Sequence, residues 1–231
     1  MSQTDLSRAV PNWGQVSATL RKRKQMKNFL LGVIAMGVIV VASNILVQYP
    51  IGQWLTWGAF TYPLAFLVSD LVNRFQGAAA ARRVVYVGLI VGLICSFIGT
   101  LIIGEFGPLV TLRVAIGSAT AFLFGQLLDI TIFDRLRRAA WWRAPFISTF
   151  FGSTLDTVIF FTIAFSAGLI WLEPSNDVSW AAVQIPLLGF GPEVPLWVSL
   201  GTADFAVKVL VDICALLPFR LFLAKYAPKT V

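Results

Sequence analysis

The sequence predicts an all-α integral membrane protein with six transmembrane helices and both termini cytoplasmic. Two observations predict it. Of 231 residues, 58% are hydrophobic and only 13% charged, where a soluble domain carries about 25% charge. The basic residues also fall in alternate connections between apolar runs, as expected of a chain that keeps its cationic loops inside the cell.

Taken in order, residues 1–27 read as a polar cytoplasmic tail ending in Arg21-Lys22-Arg23-Lys24 and Lys27. Residues 28–224 form the transmembrane domain, and 225–231 a second cytoplasmic tail. The first span, 29–47, is longer than the roughly 7–15 apolar residues of a cleaved signal peptide and follows too long a tail. After an uncharged connection at 48–53 comes span two, 54–72, where Tyr62-Pro63 predicts a kink. A loop from Phe75 to Arg83 is edged by Arg74, Arg82 and Arg83. Span three, 84–103, contains Gly88 and Gly92 at small-xxx-small spacing. That spacing permits close helix approach, either in a homodimer or within the chain. Gly104-Glu105-Phe106-Gly107-Pro108 is a tight turn before span four, 109–133. An arginine-rich turn at 133–143 leads to span five, 145–172. The connection 173–195 has three acids, four prolines and no basic residue. Span six covers 196–223.

The distribution of Lys and Arg fixes the expected orientation. Six lie in the amino-terminal tail (Arg8 among them), three in the second connection, four in the fourth, and three at the carboxyl end, Arg220, Lys225 and Lys229. The other three connections have none. Of the 18 in the chain, only Arg113 and Lys208 remain, both within spans and away from their cytoplasmic ends, whereas Arg220 lies at the cytoplasmic end of span six.

Several function classes drop out. The chain has no histidine, which removes HExxH metalloproteases, His-ligated haem and His-based general catalysis. No metal site and no cofactor is expected. Cys95 and Cys214 lie within apolar runs and read as small core hydrophobes rather than a disulfide framework. The net charge of +7 reflects the cationic loops, so no nucleic-acid partner is expected.

The residues that need a reason are the charges inside the spans. Five acids lie within or at the ends of spans: Asp70, Asp129, Asp156, Asp204 and Asp212. Each charge at bilayer depth costs about 2.5–3.5 kcal/mol, and Arg113 and Lys208 cannot neutralise all five. Asp204, Lys208 and Asp212 follow at i, i+4, i+8, so they share one helix face and Lys208 can pair with either acid. The stripe reads either as a self-neutralising structural lock or as a ligand-binding face, and the carboxylates on other helices favour the latter. Asp70 and Asp129 lie near the cytoplasmic ends, Asp156 and Lys208 nearer mid-depth, where transporter sites lie. Gln126, on the face of Asp129, and Thr157, beside Asp156, add directional hydrogen bonding. Such a cavity with aromatic walls suits a flat polar heterocycle, whose amidine-like N–H edge a carboxylate accepts through two parallel bonds. Leu128-Asp129-Ile-Thr-Ile-Phe133 also echoes Leu155-Asp156-Thr-Val-Ile-Phe160. Because these spans run in opposite directions, the echo reads as an inverted pair or as coincidence between apolar helices.

A family resemblance covers about Tyr62 to Leu223. It is carried by Asp70-Leu71 through Arg74, Gly77, Ala81-Arg82-Arg83, Leu112-Arg113-Val114-Ala115, Gly125-Gln126-Leu127-Leu128-Asp129, Arg135-Leu136-Arg137, Trp141-Trp142, Ala144-Pro145, Ser148-Thr149, Gly152, Asp156-Thr157, Phe160-Phe161, Asp204 and Lys208. In these motifs the chain resembles the VUT (vitamin uptake transporter) family, and within it the queuosine precursor transporters. The resemblance implies a multi-pass protein of the cell inner membrane that imports a small-molecule deazapurine, 7-cyano- or 7-aminomethyl-7-deazaguanine, for tRNA modification. Asp156, Asp129, Gln126, Arg113, Asp204, Lys208 and Asp70 would line its site. Two other readings are weaker. A substrate-binding subunit of an energised importer fits six helices, but the chain has no Gly-x-x-x-x-Gly-Lys-Ser/Thr run for ATP. For a membrane phosphatidyltransferase, Gly77 to Arg82 resembles part of the motif, but the required run of regularly spaced aspartates is missing, and no nucleophile elbow or zinc motif is present.

Overall fold

The computed structural model describes residues 13–105 and 107–226. Residues 1–12 of the expected tail with Arg8, Phe106 of the expected turn, and 227–231 with Lys229 lie outside the described residues.

The architecture is an all-α membrane bundle. In chain order its helices are α1 (Trp13–Leu46), α2 (Gly58–Thr61), α3 (Leu64–Gln76), α4 (Ala78–Leu101), α5 (Leu112–Leu136), α6 (Arg143–Phe165) and α7 (Leu196–Tyr226). Among the described residues four stretches are long and apolar enough to cross a membrane: Ser17–Leu46, Ala78–Leu101, Leu112–Leu136 and Arg143–Phe165. Two more helical segments depart from that pattern for identifiable reasons. The 4-residue α2 and 13-residue α3 meet at Tyr62 and Pro63, the position of the expected kink, where the α-helical ladder is interrupted. Both residues keep helical dihedrals, but Pro63 has no N–H to continue the ladder, and Ala65 and Phe66 bond instead to the carbonyls of Tyr62 and Pro63. The 31-residue α7 has ample length at ~1.5 Å per residue, but Asp204, Lys208 and Asp212 interrupt its apolar character.

Several boundaries differ from expectation. The basic segment does not stop being helical at residue 27, since α1 starts at Trp13. The expected loop from Phe75 to Arg83 shrinks to Gly77 alone, whose φ of 93° is open to glycine and strained for other residues. Arg82 and Arg83 therefore stand in the first turns of α4. Span five ends as an α-helix at Phe165, and a 3₁₀ stretch, Ala167–Leu172, follows. Three two-stranded hairpins close the connections at 50–56, 103–108 and 184–195.

The core lies between α1, α3, α4 and α5, with Met36, Ala65, Val72, Val84, Val85, Phe122 and Ile130 buried together. Leu31, Ile34 and Val38 of α1 and Ile90, Ile94 and Phe97 of α4 are exposed instead. A helix apolar all round suits a lipid environment. Cys214 is exposed and Cys95 half-buried, which corrects the expectation of core cysteines. Gly88 and Gly92 are used inside the chain: a β-carbon on Gly88 would lie 2.8 Å from Met36 Cγ, and one on Gly92 3.5 Å from Val40 Cγ1.

The bundle has two chemically distinct ends. At one, Arg74 donates to the Arg137 carbonyl at 2.6 Å, Arg137 donates to the Asn73 carbonyl at 2.8 Å and to its side chain, and Arg220 lies over the Trp141 ring. The second and fourth basic connections and the end of α7 therefore meet at a single basic end. The opposite end holds Glu173 and the start of α5.

Candidate functional site

A polar seam runs between α3, α5, α6 and α7, from the middle of the bundle towards the basic end. Its inner part is centred on Lys208. The Lys208 Nζ lies 2.7 Å from Asp156 Oδ2 and 2.6 Å from Asp204 Oδ2, and donates to Thr157 Oγ1 at 3.0 Å. Thr157 in turn donates to Asp204 Oδ2 at 3.2 Å. Tyr62, at the break between α2 and α3, donates its hydroxyl to Asp156 Oδ1 at 2.6 Å. Its ring also lies beneath the ammonium, 5.2 Å from Nζ. Lys208 thus pairs along its own helix with Asp204 and across helices with Asp156. It does not pair with Asp212, whose Oδ2 accepts from Ser153 at 3.3 Å.

The outer part of the seam has acids and no cation. Thr149 Oγ1 lies 3.3 Å from Asp70 Oδ2 and 3.2 Å from Asp129 Oδ1. Asp70 Oδ1 and Asp129 Oδ2 have no hydrogen-bond partner. Asp70, Thr149 and Asp212 share a small cavity with Leu67, Pro145 and Phe219. Its volume is about 10 Å³, room for about one water. Gln126, fully buried, accepts from Ser69 at 2.7 Å and ties α5 to α3.

Close packing of α5 on α6 places these groups. Gly125 and Gly152 face one another, and each lies four residues before an aspartate, Asp129 and Asp156. Without side chains at the crossing the two helices approach closely enough for carboxylates on both to reach the seam.

Of the seven residues expected to line a site, the structure brings Asp156, Asp204 and Lys208 into one cluster, and Asp70 and Asp129 into a second, with Gln126 beside them. Arg113 belongs to neither. At the start of α5 it donates through Nε to the Ile163 carbonyl at 3.0 Å and through Nη2 to the Ser166 carbonyl at 2.6 Å. Its backbone N–H donates to Glu173 at 3.0 Å. These contacts serve the last turn of α6, whose final carbonyls have no partner within the helix. Tyr62, Thr149, Ser153 and Asp212 were absent from the expected set. Tyr62 stood at a recognised break, Asp212 on a recognised stripe and Thr149 in the Ser148-Thr149 motif; Ser153 had no signal of its own.

The family described as "Putative vitamin uptake transporter" matches residues 56–223. The "Queuosine precursor transporter" of Escherichia coli (strain K12) is 35% identical over 195 residues, covering 78% of this chain and 79% of that protein. The "Probable queuosine precursor transporter" of Haemophilus influenzae is 32% identical over 206 residues, with 78% and 79% covered. That of Bacillus subtilis (strain 168) is 30% identical over 152 residues, with 56% and 66% covered. No solved structure matches the chain.

Proposed function

The chain belongs to the vitamin uptake transporter family, a multi-pass inner-membrane transporter, and from that premise we propose that it imports queuosine precursors. The substrates are 7-cyano-7-deazaguanine, 7-aminomethyl-7-deazaguanine, or both, supplied for tRNA modification. The names of the E. coli and H. influenzae relatives support this substrate class. The structural observation that carries the reading is the Lys208 cluster: an ammonium held between Asp156 and Asp204, beside a helix broken at Tyr62-Pro63. Discontinuous helices beside buried charge are where transporters bind their substrates.

The chemistry follows from the hydrogen bonds. Both oxygens of Asp156 are occupied, one by Tyr62 and one by Lys208. A deazaguanine presents two adjacent N–H donors that match one carboxylate. When α7 withdraws Lys208, that donor edge takes over Asp156, and Lys208 stays paired with Asp204 on its own helix. Tyr62, in edge contact with both Phe66 and Phe122, forms an aromatic wall with them. Gln126 and the carboxylates of Asp70 and Asp129 extend the polar lining towards the basic end. In the arrangement described here the seam is closed, so binding requires α6 and α7 to part.

The same proposal includes six crossings with both termini cytoplasmic. The basic end gathers the second connection, the fourth connection and the end of α7, and charge bias places such an end inside the cell.

The test is queuosine rescue. Cells that neither make nor import the precursors express this chain and receive each precursor at limiting supply. Rescue by the wild type, lost in Asp156→Asn at equal membrane abundance, supports both substrate and site. Full insertion without rescue by either precursor overturns the substrate; rescue by Asp156→Asn overturns the site.

A further inference from the structure

We propose that Asp70 and Asp129, bridged by Thr149, hold one exchangeable proton that crosses the membrane with the substrate. The inference rests on the transporter reading but concerns a different part of the seam from the Lys208 cluster.

The geometry of the bridge favours a proton. Thr149 Oγ1 lies within hydrogen-bonding distance of a carboxylate oxygen on each side, 3.3 Å to Asp70 and 3.2 Å to Asp129. A threonine hydroxyl has one hydrogen. It can therefore donate to only one of the two carboxyls. The second contact becomes a hydrogen bond only when the other carboxyl carries a proton and donates to the hydroxyl oxygen. One proton closes both contacts; without it, two like charges face the same hydroxyl in the bundle interior, where water cannot screen them.

The surroundings supply no alternative neutralising charge. Asp70 is 2% exposed, Asp129 0% and Thr149 5%. The charged groups facing the pair are Asp212 from α7 and, a turn further along the same helix, Lys208, which Asp156 and Asp204 already occupy. From α6 the facing groups are the hydroxyls of Thr149 and Ser148, and from α5 Asp129 itself. Arg74 and Arg137, towards the basic end, are turned to backbone carbonyls, Asn73 and Asp134. Nor do the acids form a metal cage: among the described residues no group of three His, Cys, Asp or Glu is placed to hold a metal ion. Two oxygens, Asp70 Oδ1 and Asp129 Oδ2, are buried without a partner, and Asp70 opens on the water-sized cavity it shares with Asp212. That cavity gives the proton a place to enter and leave.

The step is simple to balance. A carboxylate oxygen of the pair takes a proton from hydronium when the bundle opens at the end away from the basic one, forming one O–H bond and leaving water; when the basic end opens, that bond breaks and the proton passes to water there. Coupling to substrate runs through α7, which carries Asp212 at the proton pair and Lys208 at the substrate cluster. A movement of α7 that frees Asp156 also shifts Asp212 against Ser153 and the cavity.

The experiment uses the full chain in lipid, with infrared difference spectra that report the protonated carboxyl C=O stretch. At neutral pH one such band is expected in the wild type, missing in both Asp70→Asn and Asp129→Asn because the proton is shared, and retained in Asp212→Asn. A wild type without the band, or a band that survives in both single Asn variants, overturns the proposal. In vesicles, accumulation of 7-aminomethyl-7-deazaguanine driven by an inward proton gradient should fall about tenfold or more in Thr149→Val and recover in Thr149→Ser. Accumulation by the wild type that ignores the proton gradient overturns the coupling. Failure of the wild type to carry any deazapurine defeats the substrate reading alone, because the infrared result does not depend on it.

Discussion

Gly125 and Gly152 meet back to back where α5 crosses α6: a β-carbon built on either would lie 3.0 Å from the carbonyl oxygen of the other. The relation is reciprocal one turn on. The same added carbon on Gly125 would lie 2.9 Å from Asp156 Cβ, and that on Gly152 3.0 Å from Asp129 Cβ. The sequence echo around the two aspartates thus corresponds to a local two-fold arrangement of glycine against aspartate.

Gly152→Ala is therefore expected to lower stability, although alanine favours a helix intrinsically. Its β-carbon would meet Phe66, Asp129 and the Gly125 carbonyl at 2.9–3.0 Å, and overpacking of this kind costs about 1–3 kcal/mol. Gly92→Ala, where the nearest atom is Val40 Cγ1 at 3.5 Å, is the matched control and should change stability little. Thermal unfolding in detergent micelles compares the two. Equal melting temperatures for both variants would mean that the α5–α6 crossing tolerates a methyl group and that the contact does not position the seam.

Lys208→Met should be more damaging than either aspartate change beside it. Removing the ammonium leaves Asp156 and Asp204 facing one another with only the Tyr62 and Thr157 hydroxyls as donors. Stranding one partner of a buried ion pair costs about 3–5 kcal/mol. Adding Asp156→Asn and Asp204→Asn to Lys208→Met removes the stranded charges and is expected to restore most of the folded yield, with no uptake. Folded yield by size-exclusion chromatography and uptake of labelled precursor separate the two effects. If Lys208→Met alone stays as stable as the wild type, the cluster contributes nothing to the fold.

The bundle was legible because its physics is periodic and local. Apolar runs of span length marked most of the helices, Pro63 marked the break, and alternating cationic connections anticipated the shared basic end. What stayed hidden depends on how helices rotate against one another. The stripe on α7 left Lys208 free to choose between Asp204 and Asp212; only the position of α6 decides that it takes Asp204 and Asp156. Thr149 and Ser153 look like ordinary helix hydroxyls until carboxylates from neighbouring helices arrive. Arg113 looked like one more intramembrane charge, and its use at the end of α6 emerges only once that helix is known to stop at Phe165. Gly77 carried no sign that it alone separates two helices.

The orientation can be tested at the two ends. In a chain with Cys95 and Cys214 replaced by alanine, a cysteine at the exposed Ala140 marks the basic end, and one at the exposed Ser175 marks the other. A membrane-impermeant maleimide should label Ala140→Cys only in inside-out vesicles and Ser175→Cys only in spheroplasts. Labelling of both from one face would rule out that orientation of the bundle.

Arg113 offers the sharpest separation of a structural role from a binding role. Two of its guanidinium nitrogens reach two different carbonyls, those of Ile163 and Ser166, and its position at the start of α5 also brings its N–H to Glu173. A lysine has the charge but a single donor centre, so it cannot reach both carbonyls with the same geometry. Arg113→Lys is expected to lose about 1–3 kcal/mol of stability, the cost of leaving one buried carbonyl unpaired. Its KM for the precursor, measured on the folded fraction, should match the wild type, because the side chain does not face the seam. Arg113→Met should lower the melting temperature further while leaving KM unchanged. The opposite pattern, a raised KM at an unchanged melting temperature in Arg113→Lys, would place the guanidinium on the substrate and show that the closed arrangement hides a site at this end of the bundle.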